Sequence, residues 1–208
     1  MLRRRAGVAA ALAAAGRGLA LFPLPPGARL PTPGWQRQCT TDPGKVARLA
    51  ALGNLGVGCR ASDVVALDLD RHPGEANGIA RFAAACAAAG ARWPDTFTVA
   101  TPHGGLHLYF AAAGRPIPSI SGGRTGLGPG IDTRGPGVRS GGYLLAPGSH
   151  VAGGLYALEH DAPVAVLPEW LAPLLDRVPP ASPKRTASGR GRALPRPPLP
   201  QARSRRVR

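Results

Sequence analysis

Lysine is almost missing from this 208-residue chain, with Lys45 and Lys184 standing against 24 arginines. That scarcity excludes a Walker-type phosphate loop. The glycine-rich stretch GRTGLGPG, 123–130, carries no lysine followed by serine or threonine, so no ATP-driven helicase is encoded in these residues. Cysteine is scarce too. Cys39, Cys59 and Cys86 are odd in number and form no C-x-x-C pair, which excludes a disulfide framework and a zinc knuckle and points to a reducing cytoplasm. Aromatic residues make up only 5% of the chain, and alanine supplies much of the 44% hydrophobic content, so a single modest core is expected. No apolar run reaches the 18 or so residues a membrane-spanning helix needs. The opening MLRRRAGVAAALAAAG imitates a secretory signal, but it is mostly alanine and Arg17 breaks it before a cleavage site; it reads as a first helix.

Acidic residues are absent from 177–208, where ten basic ones lie. Three more basic residues are Arg3, Arg4 and Arg5, leaving 13 basic residues to face all 11 acidic ones between Arg17 and Asp176. The net charge of +15 therefore belongs to the two ends, while the body is nearly neutral. Such arms strengthen binding to any polyanion through counterion release, without specifying a sequence. The chain divides into a basic N-terminal extension at 1–5, a folded domain at 6–177 and a tail at 178–208. That tail of proline, serine and arginine has too few large apolar residues to fold.

Within the domain, the pattern predicts an alanine-rich helix over 6–15 and a short strand in GLALFPLPPGARLP. A helix over 43–52 follows, with Asp42 as its N-cap and Pro43 at its first position. NLGVGC and DVVALDLD read as strands, and GEANGIARFAAACAAAG as a helix ended by Gly90. TFTVATP and GLHLYF read as a hairpin; GIDTRG, GYLLAP and GLYAL read as further strands. PEWLAPLLDR reads as a last helix starting at Pro168. Helices at both ends of a run of antiparallel-looking strands predict an α+β domain.

Alternation also sorts the polar residues. In DVVALDLD, Val65, Leu67 and Leu69 share one face, and Val64, Ala66, Asp68 and Asp70 share the other. The two carboxylates then lie about 7 Å apart along the strand, where a cation between them is the simplest stabiliser. His107 points away from Leu106 and Leu108, and Asp132 away from Ile131, so one sheet can collect Asp68, Asp70, His107 and Asp132. Hard oxygen ligands suit Mg²⁺ or Mn²⁺, and three carboxylates fit a two-metal phosphoryl-transfer site in which histidine meets phosphate. A D-x-D at a strand end also serves as a solvated loop cap, and a lone histidine also serves structure. His103 and His107 have the spacing of a helical zinc pair, but Gly104 and Gly105 between them argue against a helix.

Taken in order, GLALFPLPPGARLP, CTTDPGKVARLAALGNLGVGC, VVALDLD, WPDTFTVATPHGGLHLYF, LGPGIDTRG and GGYLLAPGSH resemble the N-terminal domain of the bifunctional DNA primase/polymerases, the prim-pol branch of the archaeo-eukaryotic primase superfamily. The resemblance covers about residues 10–175. It implies an RRM-like antiparallel sheet with flanking helices, fused to a small α/β unit. By the family's motifs, Asp68, Asp70 and Asp132 would be metal ligands for two ions, and His107 would contact the triphosphate. Ser149 and His150 fall in the segment near the nucleotide. Arg29 stands where the family usually has lysine, and Arg134, two after Asp132, is placed to neutralise phosphate charge. Two further departures are Cys59, where a small hydroxyl residue is common, and Gly105, where the histidine motif often has serine or threonine.

The leading expectation is a template-dependent nucleotidyltransferase, a DNA primase or polymerase joining nucleoside triphosphates on single-stranded DNA. With no helicase, zinc stem or folded priming module in these residues, it would draw on a separate helicase or replication initiator. A metal-dependent nuclease on the same acidic cluster is one alternative. A non-catalytic DNA-binding relic of a mobile-element replication protein, relying on its basic ends, is another.

Overall fold

Proline and asparagine or aspartate caps mark the helix starts, and two-residue alternation marks the strands, in the computed structural model, which describes residues 2–71, 74 and 76–176. Helix α1 spans Leu2–Gly16, starting earlier than the expected residue 6 because nothing in 2–5 breaks a helix. It buries Ala11, Ala14 and Ala15 and packs on α2, Pro43–Leu52. The Asp42 carboxylate accepts the Lys45 N–H at 2.6 Å, the cap the sequence predicts. Between the two helices lie β1, Leu21–Pro23, and one 3₁₀ turn, Trp35–Gln38.

After β2, Leu55–Gly58, and β3, Val64–Leu69, comes α3, Gly78–Ala88, capped by the Asn77 side chain on Ala80 N–H. The predicted hairpin is β4, Thr98–Ala100, and β5, Leu106–Ala111. Then follow β6, Ile131–Arg134, β7, Tyr143–Leu145, β8, His150–Val151, and β9, Gly154–Leu155. The last strands are β10, Ala157–His160, and β11, Ala165–Val166. Helix α4, Ala172–Leu175, is much shorter than expected from Pro168. Pro173 is the reason, since it has no N–H for the Glu169 carbonyl and its ring crowds that carbonyl. GLYAL is likewise split at Tyr156, whose backbone bonds instead to Gly148 and Ser149.

The result is a mixed α+β fold with antiparallel sheets. Six strands run in the order β10-β4-β5-β3-β6, with β11 parallel beside β5, while β1-β2-β7 form a smaller sheet and β8-β9 a hairpin. Two cores sandwich the larger sheet. One gathers α3, α4, Val65, Leu67, Leu69, Leu108, Phe110 and Ile131 on one face. The other joins α1, α2 and the small sheet to Val64, Ala66 and Tyr109 on the opposite face. The face that carries the aspartates is therefore not open along its whole length, because one end of it is core. The basic tail at 178–208 lies outside the described residues, and so does Met1 of the N-terminal extension.

Candidate active site

Strand register brings three of the predicted residues into one row. Asp68 of β3 lies directly opposite His107 of β5 on one side and Asp132 of β6 on the other. Cross-strand partners of this kind hold their Cβ atoms about 5 Å apart. The His107 ring, almost wholly buried, sets Nε2 3.4 Å from Asp68 Oδ1. Asp132 Oδ1 accepts the Gly123 N–H at 3.0 Å, and its Oδ2 lies 3.3 Å from Arg134 Nη2. Arg134 also donates to Ser121 Oγ at 2.9 Å and to the Thr133 carbonyl at 3.0 Å. The glycine-rich loop that carries no phosphate-loop lysine thus folds back to hold Asp132 through Gly123 and Arg134 through Ser121.

Asp70 sits just beyond β3. Its N–H donates to the Gly130 carbonyl and its carbonyl accepts the Gly78 N–H, both at 2.8 Å. These bonds pin the start of α3 to the entry of β6. The approach demands glycine at both ends: a Cβ on Gly78 would collide with the Gly130 carbonyl oxygen, and Gly130 has φ +82°.

The donor chemistry suits a hard divalent cation, because two carboxylates placed directly opposite repel unless a positive charge lies near them. Arg134 supplies one such charge, at Asp132. The third carboxylate does not complete a cluster, since among the described residues no group of three or more His, Cys, Asp or Glu side chains is arranged to hold a metal ion. The structure thus offers a facing pair, Asp68 and Asp132, with Asp70 two residues along the chain.

Above the row lies a cavity of about 500 Å³, lined among others by Arg29, Trp35, Asp68, His107, Arg134 and Tyr156. Trp35 and Tyr143 form one aromatic wall, backed by the buried Phe22, with the three ring centroids 4.2 to 5.7 Å apart, and Tyr143 Oη donates to the Arg29 carbonyl at 3.1 Å. The Tyr156 ring lies 5.5 Å from His107. Burial pushes the Tyr156 hydroxyl's pKa up, against the pull of Arg29 and with the push of Asp68 and Asp70, so this phenol is neutral. Two guanidinium groups, carboxylates and flat aromatic surfaces around one cavity suit an anionic ligand with a planar ring.

Two predicted binding residues are not brought to this cavity. The buried Ser149 hydroxyl accepts the Leu55 N–H and donates to the Leu55 carbonyl, tying the turn after β7 to β2. His150 lines a separate apolar groove between α1, α2 and β9, and Asn54 holds its backbone. Sequence reading missed Trp35, Ser121, Gly123, Tyr143 and Tyr156. Only Tyr143 and Tyr156 lay in predicted strands, and nothing in their spacing tied them to the aspartates.

The family model described as "Bifunctional DNA primase/polymerase, N-terminal" matches residues 11–170 of the chain. No curated protein matches it.

Proposed function

This chain belongs to the bifunctional DNA primase/polymerase N-terminal family, and from that membership we propose that it is a template-dependent nucleotidyltransferase that joins nucleoside triphosphates on single-stranded DNA. The observation that carries this reading is the row His107–Asp68–Asp132 at the base of a cavity flanked by Arg29 and Arg134. The five antiparallel strands β10-β4-β5-β3-β6, with β11 parallel at β5 and α3 behind them, are read as the RRM-like unit, and the small sheet with α1 and α2 as the fused α/β unit.

Asp68 and Asp132, with Asp70 beside them, would hold two divalent ions, Mg²⁺ or Mn²⁺, whose chemistry when bound is activation of a primer 3′-hydroxyl and neutralisation of departing pyrophosphate. The protein's own residues do the placing. Arg134, its guanidinium held by Asp132 and Ser121, and the exposed Arg29 would face the triphosphate. The Nε2 edge of His107, which faces Asp68 beside the cavity, is the one offered to a phosphate. Trp35, Tyr143 and Tyr156 supply flat surfaces for base and sugar and keep water from the reacting centre. Catalysis is then mainly positioning and charge neutralisation. A separate helicase or initiator would expose the template.

The test is extension of a labelled primer on single-stranded template with Mg²⁺ or Mn²⁺, comparing wild type with Asp68→Asn. Growth that depends on metal and disappears in the variant supports the assignment. Strand scission without nucleoside triphosphates would identify a nuclease instead. DNA binding that survives loss of the aspartates but collapses on deleting 178–208 would identify a non-catalytic binding protein.

A further inference from the structure

Two polar atoms buried beside the row have no hydrogen-bond partner among the described residues: His107 Nδ1 and Tyr109 Oη. They belong to residues two apart on β5, on the same face of the sheet, with rings edge to face and centroids 6.4 Å apart. Tyr109 is fully buried, and His107 lies beneath the Tyr156 ring. Buried polar atoms left unpaired are rare and costly, and such pairs ordinarily enclose a water. The other imidazole nitrogen already faces Asp68 Oδ1 at 3.4 Å, a contact that calls for a proton on Nε2. Nδ1 of a neutral ring must then accept, and the phenol is the donor available to it.

We propose that a buried water joins Tyr109 Oη to His107 Nδ1 and so fixes the imidazole in the tautomer that carries its proton on Nε2, toward Asp68. Tyr109 is then a positioning residue: it touches no substrate, and it acts by setting which edge of His107 donates. Burial keeps the phenol well above its ordinary pKa, with Cys59, Asp68 and Tyr156 adding to the push, so it stays protonated and able to donate. A histidine whose far nitrogen is committed in this way is held in both rotation and tautomer, as in carboxylate–histidine pairs generally.

The tautomer is a property of the protein without nucleotide or metal, and only its consequence for Asp68 rests on the polymerase reading; the two therefore fail separately. The experiment is long-range ¹H–¹⁵N correlation on protein labelled at histidine, near pH 8.5, where an ordinary imidazole is neutral. His107→Gln identifies the resonances. The expected wild-type pattern has Nε2 protonated and Nδ1 bare, and Tyr109→Phe mixes the tautomers. The same variant lowers the melting temperature by about 2–4 °C, the shift expected for one lost hydrogen bond in a domain of this size. A wild-type ring protonated on Nδ1 overturns the proposal. So does a Tyr109→Phe protein with an unchanged imidazole pattern, or one whose melting temperature rises because an unpaired hydroxyl has been removed.

Discussion

On the face of the large sheet covered by α3 and α4, Val65, Leu67, Leu69, Leu108, Phe110 and Ile131 are all buried and apolar. On the other face the same three strands turn Asp68, His107, Asp132 and Arg134 into neighbouring rows. Because side chains alternate along a strand, each of β3, β5 and β6 contributes to both faces without compromise between them. The apolar face supplies cohesion. The polar face places like charges opposite each other, an arrangement that weakens a sheet unless a positive charge such as Arg134 offsets it. That separation teaches how a small, aromatic-poor domain tolerates a charged site: the strands carrying it are anchored from behind.

Substitutions on opposite faces of the same strands should therefore separate stability from activity. Phe110→Ala, on the apolar face, should cost about 3–5 kcal/mol in urea unfolding. The variant should keep the extension rate of the molecules that remain folded. Asp132→Asn, on the polar face, should lower primer extension at least about a hundredfold, equivalent to losing several kcal/mol of charge stabilisation. Its unfolding free energy should change by less than about 1 kcal/mol. If Asp132→Asn unfolded the protein, or Phe110→Ala abolished turnover in folded molecules, the two faces would not be independent.

Where the faces meet, both properties should move together. Gly78→Ala forces α3 away from Gly130 and drags the Asp70 backbone bonded to both. It should cost about 1–3 kcal/mol by overpacking and lower the extension rate in the same protein. A smaller effect is expected from Arg60, whose Nη1 holds the Gly137 and Val138 carbonyls at 2.9 Å each, just before Ser140 and Gly141 at the cavity wall. Arg60→Ala should raise the KM for nucleotide a few-fold, by roughly the worth of one or two such bonds, with kcat preserved.

Another effect is confined to alkali. Burial pushes the Cys59 thiol from 9.0 up to about 12, so the folded state favours its neutral form. The stability this contributes is fully present below about pH 9 and is lost as pH rises toward 12. Cys59→Ala should flatten that decline and, by leaving a small cavity at a fully buried site, cost about 1 kcal/mol at neutral pH. Tyr109, raised as well, preserves part of the slope. A pH titration of the urea midpoint reads both.

Much of this molecule was legible before its structure. Asp42 and Pro43 announced α2 because capping and a fixed φ act within one turn. Alternation put Asp68 and Asp70 opposite Leu67 and Leu69, and His107 opposite Leu106 and Leu108, since facing in a strand is a local matter. The last helix was overread, because the apolar spacing of PEWLAPLLDR ignores what Pro173 does to the turn before it. Ser149 was placed near the ligand by motif, whereas its hydroxyl is occupied by the Leu55 backbone, a partner 94 residues away.

The sequence by itself determined which residues share a face, where helices begin, which parts of the chain carry the net charge and which family the chain belongs to, because each follows from local stereochemistry, composition or motif order. Only the tertiary structure decided that His107, Asp68 and Asp132 form one row, that the Asp70 backbone just past it ties Gly130 to Gly78, and that Trp35, Tyr143 and Tyr156 wall the cavity above. Those outcomes depend on strand register and on contacts between segments up to about a hundred residues apart. No local pattern encodes them, because register is chosen by the packing of both sheet faces at once.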